Sequence, residues 1–243
     1  MCLALSSISF PSCNYIGSTV FESCYTLTSA GFPVCSSIGD YAFRFCSNLL
    51  SVSFPSCTFI GGNAFTRCSK LKEANFPICS KIDNDAFWSC FALSRVSFPM
   101  CSSWGQYPFE YCSSLQSAVF PLISTITRQA FYNCWSLSFV DIPNCITVSS
   151  QAFQNCKVLP MVSFPKCSNI HVSAFYSCSA LSSVYLMSTV VVSLSNSNAF
   201  SYTPMQHSSY LGTFGSIYVP SSLVNTYKTA TNWSYYSDRF VGI

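Results

Sequence analysis

Charge is scarce in this sequence. Only 8% of its 243 residues are Asp, Glu, Lys or Arg, and the 11 basic residues are scattered without a run, for a formal net charge of +3. A nucleic-acid or anionic-membrane surface needs a basic patch, so neither partner is expected. Long apolar runs are also missing. The longest, around Val184 to Leu194, is interrupted by Ser188 and Ser193 and is too short to span a bilayer. Histidine occurs only at His171 and His207, and no two cysteines stand in a C-x-x-C spacing. That disfavours structural zinc, and no cofactor is expected. The sequence holds no G-x-x-x-x-G-K-[ST], G-x-S-x-G or H-E-x-x-H, and its one close carboxylate pair, Asp83 and Asp85, reads as a solvated turn. No enzyme is expected.

What the sequence does have is repetition. A leucine recurs at Leu5, Leu27, Leu49, Leu71, Leu93, Leu115, Leu137, Leu159 and Leu181, always 22 residues apart. A fixed period of this size, with several apolar positions per unit, means that no unit buries its apolar face alone; stacked units form a solenoid. With the leucine counted as position 1, the unit is L-x-x-V-x-F-P-x-C-x-x-I-G-x-x-A-F-x-x-C-x-x, read most plainly from Leu49 to Lys70. One domain is expected, with the nine-copy array over 1–187 and an irregular last coil with a cap over 188–243.

The V-x-F stretch at positions 4 to 6 alternates with period 2 and reads as a short strand with Val and Phe inward. The proline at position 7 lacks an N–H and ends each strand at the same place, which aligns the strands as a parallel sheet. Nine strands at their usual spacing make a rod or arc of about 43 Å. Position 17, position 20 and the next leucine lie three apart, a spacing that predicts 3₁₀ or short α turns on the return path. The glycine at position 13 predicts a corner with φ > 0, and the small alanine at position 16 predicts close approach of neighbouring coils. Copy five departs from the pattern with Trp104 for Ile and Tyr107-Pro108-Phe109 for x-Ala-Phe, so a local bulge is expected there.

The L-x-x-V-x-F-x-x-C frame, together with the wording F-P-x-C-x-x-I-G-x-x-A-F-x-x-C from Phe54 to Cys68, resembles the BspA-type leucine-rich repeat proteins of bacterial and protist surfaces. The resemblance covers about residues 2 to 187. It implies a leucine-rich repeat solenoid with a parallel β-sheet on the concave face, short 3₁₀ or irregular turns on the convex face and a small helical cap. For role it implies adhesion or other protein binding.

All sixteen cysteines fall on two positions. Position 9 holds Cys13, Cys35, Cys57, Cys79, Cys101, Cys145 and Cys167; position 20 holds Cys2, Cys24, Cys46, Cys68, Cys90, Cys112, Cys134, Cys156 and Cys178. Both columns are odd in number, and Ile123 fills the one gap in the first, so the slot reads as a compact apolar site occupied by free, buried thiols. A thiol nucleophile is disfavoured in such a core. Many reduced thiols suit a reducing or anaerobic setting, either a cytoplasm or the surface of an anaerobe.

Met1 to Leu5 carry no basic segment, and Cys2 already sits at position 20, so further repeats or an export signal are expected upstream. At the other end, Ser193 to Thr213 reads as a loop or irregular coil. Ile217-Tyr218-Val219 reads as a last strand, Ser221 or Ser222 as the N-cap of a helix with Leu223, Val224 and Tyr227 on one face, and Asn232 to Tyr236 as another turn. Phe240 to Ile243 would cover the end, with Trp233 packing on the last coil.

Positions 3 and 5 flank the inward Val and point outward. In copies one to three they are Ser or Gly; later they include Glu73, Arg95, Val119, Phe139, Asp141, Met161 and Tyr185, apolar anchors with a charged edge. The expected function is a non-catalytic module binding a protein or glycan ligand on another cell through this face, exported or at the cell surface. The alternative is a structural part of a prophage tail or surface appendage, in a cytoplasm or a phage particle.

Overall fold

A computed structural model describes residues 5–206 and 214–243; Cys2, His207 and the end of the expected loop at Thr213 lie outside them. The chain winds into about ten stacked coils. Each of the first nine coils contributes a three-residue strand at positions 3 to 5, such as Ser51–Ser53 and Arg95–Ser97. These pair in parallel with a shift of one repeat, for example Ser29↔Ser51 and Ser51↔Glu73. A second ladder that the sequence reading did not foresee lies at positions 11 and 12, where two-residue strands such as Phe59–Ile60 and Lys81–Ile82 also pair in parallel.

Inside the coils, side chains of one position stack on themselves. The rings at position 17 form a column without a gap from Phe21 to Phe200, with Phe43 and Phe65 5.3 Å apart and 3° from parallel, and Phe175 and Phe200 5.1 Å apart. The rings at position 6 form a second column from Phe10 to Phe120, which stops where Ile142 replaces Phe. Each stacked pair contributes about 0.5–1.5 kcal/mol beyond the area it buries.

On the return path the irregular alternative holds. Its turns are not 3₁₀ helices, because positions 15 and 19 are left-handed in coil after coil: φ is 60° at Tyr41, 63° at Phe45, 56° at Asn63 and 57° at Arg67. A left-handed residue costs about 1–2 kcal/mol in isolation. Here it turns its N–H along the stack, so that Tyr41 donates to Gly62 O at 2.9 Å and Phe45 to Thr66 O at 2.9 Å. The glycines at position 13 are not the left-handed corners. They serve close approach, since a Cβ on Gly61 would lie 2.7 Å from Asp40 N and from Gly39 C. The alanine at position 16 behaves as expected. It is buried, and its carbonyl accepts from the phenylalanine N–H at position 17 of the preceding coil, as in Phe43 N to Ala64 O at 2.8 Å.

The described cysteines are in no disulfide, and all but half-buried Cys13 are buried. Their thiols are donors as well as hydrophobes. At position 20 the thiol donates to the position 17 carbonyl one coil earlier, as from Cys68 Sγ to Phe43 O at 3.1 Å. At position 9 it donates to the carbonyl two residues on, as from Cys57 Sγ to Phe59 O at 3.1 Å. The reading of position 9 as a merely apolar slot is therefore corrected. Where Ile123 lacks a thiol, Thr125 O accepts instead from the indole Nε1 of Trp104, one coil away, at 2.7 Å. The copy-five anomaly and the missing cysteine are one compensated change. Its cost is local: the second ladder is interrupted between Ser103–Trp104 and Thr125–Ile126. Tyr107 keeps the left-handed φ and Phe109 stays in its column, so the coil does not bulge outward at the turn.

Two outcomes follow from these thiols. Alkylation of the denatured, unreduced protein should label nearly all sixteen cysteines, and recovery of several disulfide-linked peptides would contradict the reduced state. The second concerns pH. Burial pushes Cys57 from an ordinary value of 9.0 up to about 12 and Cys101 up to about 11. The unfolded chain therefore loses thiol protons first as pH rises, so this stabilisation is complete below about pH 9 and is lost progressively above it. The melting temperature should hold level to about pH 8.5 and then fall; a level melt through about pH 10.5 would show that the thiols are not a linked core.

The tail is a built cap. Ser193–Leu194 is a strand paired with Asn169–Ile170, and Ser197–Phe200 is a 3₁₀ turn, so the described part of this stretch is an irregular coil rather than a loop. Ser216–Val219 adds the last array strand, followed by a 3₁₀ turn at Ser221–Leu223, a helix at Val224–Thr229, a 3₁₀ segment at Trp233–Arg239 and an edge strand at Phe240–Gly242. The serines do not cap the helix by side-chain hydrogen bonds; Ser221 Oγ reaches Ile243 O instead. Among the described residues no helix is long and apolar enough to cross a membrane.

Candidate ligand-binding face

The strand face is set by the alternation inside each coil. With position 4 turned into the core, positions 3 and 5 face out, and Glu73, Arg95, Phe139, Asp141 and Met161 are all exposed there. Val119 and Tyr185 are half-buried. The three-residue strands form three hydrogen-bonded sheets that part between Glu73–Asn75 and Arg95–Ser97 and between Phe139–Asp141 and Met161–Ser163; the face runs on across the first parting and is divided at the second.

The second parting has a cause in the sequence. Elsewhere the N–H of position 2 donates to position 2 of the preceding coil, as from Ser138 to Gln116 O at 3.0 Å and from Ser182 to Pro160 O at 2.9 Å. Pro160 occupies that position and has no N–H to give to Ser138. At the same coil boundary Ile142 interrupts the position 6 ring column. The strands separate there, and a cleft of about 260 Å³ opens between Phe139, Asp141, Pro143, Met161 and Pro165.

The seven residues expected to form the site thus fall into three places. Phe139, Asp141 and Met161 line this cleft. Glu73, Arg95 and Val119 line a separate open trough of about 630 Å³. Tyr185 lies in neither: its ring stacks on Tyr218 of the next coil at 4.4 Å and 8°, which uses the face it would otherwise offer. Asp141 is exposed, and no ion pair among the described residues includes it. The N-terminal half of the face is a trough of about 610 Å³ bordered by Ser7, Ser9, Ser29, Ser51 and Ser53.

Sequence reasoning passed over the turn side, where positions 18 and 19 of coils two to four bring Arg44, Phe45, Arg67 and Trp88 around a cavity of about 480 Å³. Residue type there changes from coil to coil, so periodicity gives no signal. Asp85, read as a solvated turn residue, is half-buried at its edge, and burial raises its carboxyl above the ordinary value.

A sequence search of curated proteins finds no match. Among solved structures, a leucine-rich cell surface protein from Faecalibacterium prausnitzii is 18% identical, with 97% of this chain and 76% of that one aligned at a TM-score of 0.46. A leucine-rich repeat protein from Bacteroides ovatus is 17% identical over 98% and 84% of the two chains, at 0.44. One from Eubacterium ventriosum is 15% identical over 82% of each, at 0.45. The family model for the BspA-type leucine-rich repeat region matches residues 1–116 and 102–221, in six copies. That match, over coils of 22 residues paired in parallel, shows that the chain belongs to the BspA-type leucine-rich repeat family.

Proposed function

We propose that the protein is a non-catalytic binding module that holds a protein or glycan ligand of another cell against the C-terminal half of its strand face, at the surface of the producing cell. The observation that carries this reading is the cleft between Phe139–Asp141 and Met161–Ser163. Two large apolar side chains, Phe139 at 54% and Met161 at 48% exposure, stand on its rims beside an unpaired Asp141. Apolar anchors around a pocket with a charged edge are the make-up of an interface centre, where few residues carry most of the affinity. The repeat family supports a binding role and the surface location.

The test is an array of surface proteins and glycans probed with the wild type, the double variant Phe139→Ser/Met161→Ser, and a control, Phe91→Ser. Phe91 is nearly as exposed, at 46%, but lies off the strands. For a ligand held in the cleft the double variant should lose about 2 kcal/mol or more of affinity, the control should bind as wild type, and both melts should stay within about 0.5 kcal/mol of the parent. Ligands that all bind the double variant undiminished would place recognition elsewhere.

A further inference from the structure

The turn side carries a second array, chemically unlike the strand face. In chain order Tyr41, Arg44, Phe45, Arg67 and Trp88 alternate ring and cation. Arg44 Cζ lies 5.2 Å from the Tyr41 ring and 4.5 Å from the Phe45 ring, and Arg67 Cζ lies 5.7 Å from Phe45 and 5.0 Å from Trp88. The backbone fixes this order, since Phe45 N donates to Thr66 O at 2.9 Å and Arg67 N to Trp88 O at 2.8 Å. Each guanidinium is held between rings. Such stacking orients the donor fork without using any of its N–H groups.

Arg67 keeps its N–H groups unfilled, whereas Arg44 already turns one of its own to Glu22. Arg67 is exposed and is in no ion pair, and Arg44 Nε is buried without an acceptor although its Nη1 lies 3.4 Å from Glu22. Asp85 does not neutralise Arg67: the two form no ion pair, and burial raises the Asp85 carboxyl. The cavity of about 480 Å³ between these groups thus has two guanidinium groups in its wall, with Asn63 and the Asp85 carboxylate on its border. A planar fork with free donors fits a carboxylate in two-point contact. Asp85 in the same cavity calls for a ligand that also brings donors. In an acidic peptide the donors are backbone N–H groups joined to the carboxylate by a flexible side chain; a sugar ring holds a carboxylate on one side and hydroxyl donors on the other in one rigid frame, and satisfies both ends.

We infer that the Arg44–Arg67–Trp88 cavity on the turn side is a binding site for a carboxylated sugar of an acidic polysaccharide, separate from the strand-face cleft. The carboxylate meets Arg67 and Arg44, and the ring hydroxyls meet Asp85 and Asn63.

Calorimetric titration with three polymers decides it: polygalacturonate, neutral dextran and poly-glutamate. Polygalacturonate should bind, weaken as salt is raised, and lose about tenfold or more in affinity with Arg67→Gln. Dextran and poly-glutamate should not bind comparably. Arg67 is exposed, so R67Q should melt as the parent does. Lack of polygalacturonate binding, equal binding of dextran, equal binding of poly-glutamate, or R67Q binding as wild type would each overturn the assignment. Phe139→Ser/Met161→Ser should leave polygalacturonate binding unchanged; a loss there would move the sugar to the strand face and overturn the separate site.

Discussion

Deleting residues 220–243 is expected to abolish the cooperative melt and leave aggregated protein. Phe200 ends the position 17 column, stacked on Phe175 below and covered above by Trp233 at 6.0 Å and Tyr236 at 5.6 Å. The cap also completes the last coil's backbone. Val192 N donates to Tyr227 Oη at 2.9 Å, Trp233 Nε1 to Val192 O at 2.6 Å, and Asn232 Nδ2 to Leu194 O at 2.7 Å. Tyr236 Oη accepts from Phe200 N at 3.4 Å and donates to Ser197 O. Each buried group left alone costs about 1–3 kcal/mol. Several at once, with the aromatic cover gone, approach the whole stability of about 5–15 kcal/mol typical of a domain. The bare end would also offer an open edge to another copy. A gentler variant separates hydrogen bonding from cover: Tyr227→Phe/Tyr236→Phe keeps both rings and should cost roughly 2–4 kcal/mol. A soluble, monomeric truncation with the parent's melt would mean that the tail is a separate interaction element.

The second large effect is expected at Trp104. Trp104→Ile removes ring contacts to Phe109, Phe120 and Phe131 and leaves Thr125 O without its donor. The cost should be about 3–5 kcal/mol, from lost packing and an orphaned carbonyl. Ile123→Cys on its own should cost only about 1 kcal/mol, since its thiol would find the carbonyl already taken. Together they rebuild the arrangement of the other coils, so the double variant should recover about 1–2 kcal/mol relative to the sum. Chemical denaturation of the four proteins measures this coupling. Costs that add within about 0.5 kcal/mol would show that Trp104 and Ile123 are unrelated substitutions.

The coil could be read from the sequence because its determinants repeat. The leucine at position 1, the phenylalanines at positions 6 and 17 and the cysteines at positions 9 and 20 report the same inward direction in nearly every copy. The proline at position 7 marks one strand end. The left-handed residues could not be read, since Tyr41, Phe45, Arg67 and Gln129 are not residues that announce φ > 0. They adopt it because the next coil offers a carbonyl, which is a tertiary reason. The candidate site was legible as a list of outward residues but not as a shape. Two features divide that list into a cleft, a trough and a stacked tyrosine: the missing N–H at Pro160 and the contact between Tyr185 and Tyr218. The turn-side cavity needed three dimensions, because its residues share position but not type.

The bond from Trp104 to Thr125 also bears on how such a gene changes length. In most of the array a recombination that deletes or duplicates one 22-residue unit returns every contact to an equivalent partner, so copy number can drift. Coils five and six are different. Deleting coil five alone would place Ile82 beneath Thr125 and leave that carbonyl without a donor, because Ile123 has no thiol. A crossover that parts the two coils yields a damaged product, whereas one that carries both leaves the array intact. Units five and six are therefore expected to be inherited as a single block of two repeats, a fixed seam in a chain most of whose other joints are interchangeable.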